Sequence, residues 1–543
     1  MKYIIPIFTL SPMVEPELPA PTLEEPSPFG KGLLRMNSIT WAIKLLRYLL
    51  MVGAAWFILT YIIIAILRLQ YPYELEWMEG GMVDHAQRVL SGQKLYVRPS
   101  LEFVPFIYTP LFVYLSAIVA KATGIGFEPL RLVSFVSSLG SFLLIFLIIH
   151  RETGNKFAAL LSAGLFAATF RISGAWFDIA RVDSLALFLL LLGTHVFRFY
   201  RPPLAYIAAG LILSLSFLTK QSALAVIVPL ALYCVLQNRR QSPFYIATAV
   251  IILGLTTLAL EYLHDGWYSY YIFELPRQHA LLPGKYLGFW QDDLLELLPI
   301  ATTMAIFYLI SQFSAPNKDS ALFYSLFAAG MLGGSWFSRL HTGGWDNVLI
   351  PGYAAIAILF GLSFHSLLRF IQSESVEKRL MVEAFVILAA VVQLATLIYN
   401  PIEQVPTQKD LDAGNEFVSV LKQIEGDVLV THHGFLPQLA DKNSYAHWAA
   451  VVDILRGDKE TPQARMMVSD LQKAIEEKRF DAIILNSGNF PARSVAFKRY
   501  YEKQRPIFSK KSVFWPVTGF QTRPRFIFVP RAPNNSARVT NNR

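Results

Sequence analysis

The chain has 543 residues, 54% of them hydrophobic and only 16% charged, with a formal net charge of +9. A soluble protein of this size carries about a quarter charged residues, so the composition excludes an ordinary soluble enzyme and points to a multi-pass membrane protein. In such a chain the positive balance records membrane topology, with no nucleic-acid partner expected. The single cysteine, Cys234, lies in an apolar run, which excludes a disulfide framework and a cysteine-based metal site.

The opening stretch MKYIIPIFTLSPMVEPELPAPTLEEPSPFGKG is apolar only briefly, is broken by Pro6 and has no small-residue cleavage site. Residues 1–47 therefore read as a disordered tail rather than a signal peptide. Lys31, Arg35, Lys44 and Arg47 precede the first apolar run and assign that tail to the cytoplasm. Apolar segments of about spanning length follow at 49–67, 104–120, 131–149, 157–176, 184–199, 204–219, 222–236, 243–262, 294–312, 321–337, 347–368 and 380–399.

If every segment crossed, the basic connectors HRETGNK (150–156), FRFYRPP (197–203), QNRRQ (237–241) and ESVEKR (374–379) would all lie outside. That inverts the positive-inside rule. The stretch 103–121 is short, holds Pro105 and Pro110, and carries interfacial tyrosines, so it reads as a juxtamembrane helix on the outer surface. The expected fold is then an α-helical polytopic membrane protein over 48–400 with about 11 transmembrane helices, N-terminus inside and C-terminus outside.

With that parity the polar clusters share the outer face: the loop within 69–130, FDIARVD (177–183), TKQ (219–221), the loop 263–292 and SRLHTGGWDN (338–347). An outward-facing site assembled from five loops is the expectation. From about Asn400 proline and charge rise, and GDVLVTHHG and FDAIILNSG read as short buried strands ending in glycine turns. Helical patterns at 408–423 and 461–478 alternate with them. Residues 401–531 are thus expected to form a small extracytoplasmic α/β domain, followed by a polar tail at 532–543.

The first outer loop opens with ELEWMEGGMVDH, which places Glu76, Glu79 and Asp84 within nine residues. A carboxylate held at the membrane margin between apolar walls has its pKa raised and becomes a general base. Acids in an exposed loop also serve simply to solvate it, and position alone does not separate the two readings.

The spacing from Glu79 to Gly92, the proline–aromatic stretch FVPFIYTPLFVYL and the Arg-led segment RLVSFVSSLGSFLLIFLI resemble the GT-C glycosyltransferases. The likeness is to protein O-mannosyltransferases and the aminoarabinose transferase. It continues in order through FDIARVDSLALFLLLLG, LTKQSALAVIVPL and RLHTGGWDNVLIPGYAAIAIL. Two departures stand out: Met78 occupies the place of the Asp in the family's Asp-Glu pair, and TPL stands where a double proline is usual.

The resemblance implies an inverting transfer of a sugar from a polyprenyl-phosphate or pyrophosphate donor to an acceptor on the outer face. Glu79 would be the base, with Glu76 one turn earlier as its substitute and Asp84 turned away. Cations at the outer ends of spans, Lys220, Arg339, His341 and Arg131, would take the donor phosphate, the bland alternative being headgroup snorkelling. Asp178, Arg181 and Asp183 are expected to form an ion-pair brace, and Trp345, Asp346 and Asn347 to support the sugar. The acceptor, whether glycan, lipid or protein, is left open, and a prokaryotic plasma membrane is the implied location.

No cofactor is expected. A divalent metal is the minor alternative, because His264, Asp265, Glu274 and His279 share one loop but fit no standard spacing. His432 and His433 read as polar loop residues. The rival functions are a lipid-linked sugar flippase or transporter, and an O-antigen polymerase or ligase. The first normally shows repeated halves and mid-span charges, and the second a large loop late in the chain.

Overall fold

A computed structural model describes residues 28–314, 318–457, 460–490 and 496–532. Of the tails expected at 1–47 and 532–543, residues 1–27 and 533–543 lie outside the described residues. The first helix, α1 (Pro28–Leu69), starts ahead of the boundary expected at 48. After it come α2 (Glu79–Leu90), α3 (Leu111–Thr123), α4 (Phe127–Thr153), α5 (Lys156–Ala168), α6 (Asp183–Phe199), α7 (Leu204–Thr219), α8 (Leu224–Gln237) and α9 (Ser242–Leu263). The second half carries α10 (Pro299–Phe313), α11 (Lys318–Leu340), α12 (Ile350–Phe370) and α13 (Val376–Thr396).

Local chemistry sets the boundaries. Pro110 sits at the N-cap of α3, so the apolar run there yields only 13 helical residues. At 1.5 Å per residue that is about 20 Å, short of the ~30 Å hydrocarbon core. Gly154 closes α4 in the left-handed region, and the Asn155 side chain accepts from the Phe157 and Ala158 N–H groups to open α5. The segment expected at 157–176 is helical only to Ala168, after which turns lead to Ala175 with positive φ.

Among the described residues, five helices are long and apolar enough to cross a bilayer: Thr40–Leu69 within α1, α4, α9, Asp346–Phe370 and α13. A sixth counts if Lys285–Leu295 and Pro299–Phe313, bent by 104°, form one broken span. Four further apolar helices, Leu111–Thr123, Lys156–Ala168, Leu204–Thr219 and Gln221–Gln237, are shorter than a full span. The chain is an integral membrane protein by this pattern. Of the most apolar 18-residue stretch of Asp346–Phe370, 89% is buried, so this segment forms the centre, whereas in α9 the share is 11% and Val250, Leu255 and Leu258 turn outward. An exposed apolar face of that extent is what lipid covers.

The C-terminal region has the expected alternation: α14 (Gln408–Gln423), β1 (Val428–Val430), α15 (Trp448–Arg456), α16 (Pro462–Glu476) and β2 (Ala482–Leu485). The strands β1 and β2 pair in parallel, as the intervening helical crossover requires. Two strands absent from the sequence expectation, β3 (Tyr501–Pro506) and β4 (Phe526–Pro530), extend the sheet antiparallel in the order β1-β2-β4-β3.

This region is docked on the segment between α1 and α3. One apolar cluster holds Met82, Val83, Ala86 and Phe106 together with Phe417, Leu436, Ala450 and Ile484. At its centre α2 meets the turn after β1 backbone to backbone: a Cβ on Gly80 would overlap the carbonyl oxygen of Gly434 and crowd Glu74. Gly80→Ala is therefore expected to destabilise the protein by about 1–3 kcal/mol, read as a lower melting temperature of the detergent-purified chain, with Gly284→Ala, at a negative φ and with open space around its Cβ, as the control.

Candidate functional site

Arg131, in the first turns of α4, is fully buried and organises the acidic loop. Its guanidinium donates to both Glu79 oxygens, at 3.0 and 2.6 Å, and to the carbonyls of Arg68, Tyr71 and Tyr73. Glu79 also accepts from the Ala180 N–H at 2.7 Å and the Leu75 N–H at 2.6 Å. Burial pushes this carboxyl up, but Arg131 and the two amides outweigh it and hold it below its ordinary value. Glu79 is thus a fully coordinated carboxylate. It does not line the cavity that its neighbour Glu76 borders.

Glu76 is placed differently. Its Oε2 accepts from Arg181 at 2.8 Å and from the Met78 N–H at 3.1 Å, while its Oε1 is buried without a hydrogen-bond partner. Burial raises this carboxyl to about 7, with Arg181 opposing and Glu79 adding to the rise. Glu76 borders a cavity of about 790 Å³. Asp84, whose carboxyl burial raises to about 7, turns away and accepts from the Phe435 N–H and Gln438 of the C-terminal region.

All five polar clusters noted in the sequence reach this cavity. Its walls include Glu76, Trp77 and Tyr108 from the first loop, Trp176 and Arg181, Lys220, His279, and His341, Trp345 and Asn347. The C-terminal region closes it with Asp453, Arg456 and Phe520. The Arg181 guanidinium is fixed by the Tyr108 hydroxyl at 2.7 Å and lies over the rings of Tyr108 and Trp176.

The cations divide into two groups. Lys220 lines the cavity and donates to Asp183 at 2.6 Å, and Asn347 donates to the same oxygen at 2.9 Å. Arg339 instead binds Asp293 through two bonds of 2.9 Å and reaches Asp346 at 3.2 Å, holding the 338–347 turn in shape from behind. Arg131 is likewise internal. The expected brace among Asp178, Arg181 and Asp183 does not form: Arg68 takes Asp178, Glu76 takes Arg181 and Lys220 takes Asp183. Each partner comes from a different segment because the turn between α5 and α6 splays the three side chains apart.

The two histidines expected to be plain loop residues are buried. His433 Nδ1 lies 2.5 Å from Glu74 Oε2, and His432 packs against Trp77 and Trp448. His447 contacts the Trp77 and His432 carbonyls, and burial lowers its pKa to about 4. Sequence reasoning also missed Glu74, Tyr108, Arg456 and Phe520 as site components. Only the composition of ELEWMEGG and FIYTP carried any signal for the first two. In the loop 263–292, Asp265 pairs with Lys94, and His279 meets the Asp453 carbonyl at 2.9 Å. Among the described residues no three His, Cys, Asp or Glu side chains converge as a metal site.

Residues 105–261 match the family model described as dolichyl-phosphate-mannose-protein mannosyltransferase. The fold is similar to that of ArnT from Cupriavidus metallidurans, solved bound to undecaprenyl phosphate and in the apo state. Both are 13% identical, cover 88% of this chain and 97% of theirs, and give TM-scores of 0.53 and 0.54. The Archaeoglobus fulgidus oligosaccharyltransferase, solved with zinc and sulfate, is 10% identical over 79% of this chain and 67% of its own, at a TM-score of 0.49. No curated protein matches the chain in sequence. The family match over residues 105–261 and the similarity of the fold to ArnT agree with the resemblance read from the motifs.

The different settings of the two glutamates have a measurable consequence. At pH 8, Glu79→Gln leaves Arg131 buried beside a neutral partner and should cost about 3–5 kcal/mol of stability. Glu76→Gln should cost much less, because folding already disfavours its charged form. The depressed pKa of Glu79 contributes stability that is present above its unfolded value and lost as pH falls through its folded one. The melting temperatures of the two variants at pH 8 check this.

Proposed function

We propose that the protein is an inverting membrane glycosyltransferase that moves a sugar from a polyprenyl-phosphate-linked donor to an acceptor on the extracytoplasmic side. The observation that carries the reading is Glu76: a buried carboxylate with one free oxygen, at the edge of a cavity that also presents Lys220, Arg181 and His341. The ArnT structure with undecaprenyl phosphate supports the donor class.

In this reading Glu76 Oε1 takes the proton of an acceptor hydroxyl as its oxygen bonds to the anomeric carbon. The bond from that carbon to the lipid phosphate oxygen breaks, and the phosphate leaves with the electron pair. Lys220 and His341 face the departing charge, while Arg181 holds Glu76 in place. Arg339 and Arg131, expected as phosphate ligands, act through the walls they hold. The base is therefore assigned to Glu76 and not to Glu79, whose oxygens already accept four hydrogen bonds.

Two measurements test the proposal. With a panel of undecaprenyl-phosphate-linked sugars, Glu76→Gln should lower sugar release by ~10²–10⁴-fold while donor binding persists. The wild-type rate should rise with pH through about 7, since the base must be ionised. Full activity of Glu76→Gln would remove the base from the proposal.

The outward placement is tested separately by single cysteines at Ser91, Glu477 and Arg240, which are all exposed. An impermeant thiol reagent applied to intact cells should label the first two and spare the third; labelling at Arg240 would reverse the topology.

A further inference from the structure

Residues 513–523 form a finger that the C-terminal region sends into the cavity. Its base is closed by Arg523, whose guanidinium donates to the carbonyls of Lys510 and Val513. Thr522 accepts from the Asn486 amide at 2.9 Å just beyond β2. The tip is anchored on the membrane half: the Thr518 N–H donates to the Leu75 carbonyl at 3.1 Å, and the Thr518 hydroxyl donates to the Gly174 carbonyl.

These two bonds bring Gly519 against the carboxyl of Glu76. Gly519 has φ +75°, and a Cβ there would lie 2.7 Å from Glu76 Cγ and 3.0 Å from its free Oε1. The next residue, Phe520, is 46% exposed and packs its ring 5.3 Å from Trp77 at the cavity edge. No other residue type fits position 519 without displacing either the finger or the acid.

From this geometry we infer that the 513–523 finger is a positioning element of the catalytic site: Gly519 packs on one side of the Glu76 carboxyl, strips water from that side and holds the acid at the cavity edge. The inference rests on the assignment of Glu76 as base. It makes the active site a joint product of the membrane half and the C-terminal region. With the finger seated, the charged form of Glu76 loses hydration on one side. With the finger displaced, water reaches the carboxyl and its titration returns toward the ordinary carboxylate range.

The test uses the full-length protein in detergent and needs no knowledge of the sugar. Dicyclohexylcarbodiimide couples to protonated carboxyls in apolar surroundings, so its incorporation at Glu76, located by peptide mass spectrometry, reports the protonated fraction. In the wild type, labelling should fall with a midpoint near 7. Gly519→Ala should move that midpoint down by about one pH unit or more and lower release of sugar from undecaprenyl-phosphate donors at least ~10-fold.

If Gly519→Ala fails to fold, Thr518→Val, which removes only the hydroxyl anchor, should shift the midpoint in the same direction and Thr518→Ser should restore it. A wild-type midpoint and turnover in whichever variant folds overturns the inference. A dead Glu76→Gln alongside an unaffected Gly519→Ala overturns the finger alone; an active Glu76→Gln overturns the assignment of the base and with it the inference.

Discussion

Arg131 is the interaction on which the site depends. A guanidinium removed from water is costly unless all its donors are met, and here three backbone carbonyls and one carboxylate meet them. Because those carbonyls belong to Arg68, Tyr71 and Tyr73, the pairing pins the end of α1, the loop after it and the start of α2 into one shape. Glu79 is the counter-charge in that lock. Its neighbour three residues earlier is then left with one oxygen on Arg181 and one oxygen free.

The same economy runs through the rest of the site. Arg68 with Asp178, Lys220 with Asp183 and Arg339 with Asp293 each tie two chain segments distant in sequence. Paired in this way, charges persist at the border between a bilayer and water, where an isolated ion is strongly disfavoured. Lys220 differs from Arg68 and Arg339 in also bordering the cavity, so its charge is both compensated by Asp183 and available to a ligand.

The C-terminal region is part of this arrangement and not an appendage. Gly434 touches Gly80, His433 meets Glu74, Asp84 caps the turn at Phe435, and the finger reaches Glu76. Such backbone-close contacts leave no room for side chains, which explains why glycines recur on both sides of the junction. They also place the acidic loop under two sets of constraints, one from the membrane half and one from above.

Much of this was legible in the sequence for local reasons. Long apolar runs marked the membrane helices, Pro105 and Pro110 shortened the segment now seen as α3, and short apolar runs before glycine turns marked β1 and β2. The clustering of polar loops on one face foretold a shared cavity, since charges are expensive elsewhere in such a chain. The strands β3 and β4 were not legible: YEKQRP is a polar edge strand whose only buried residue is Tyr501, so it carries no alternation. From sequence, Glu79 is preferred to Glu76 on family resemblance alone, since the two share a loop and a chemistry. Their different surroundings are set by Arg131, Arg181 and Gly519, lying 52, 105 and 443 positions away from the acids they touch. Ionisation depends on burial and on the nearest opposite charge, and both are properties of the assembled fold.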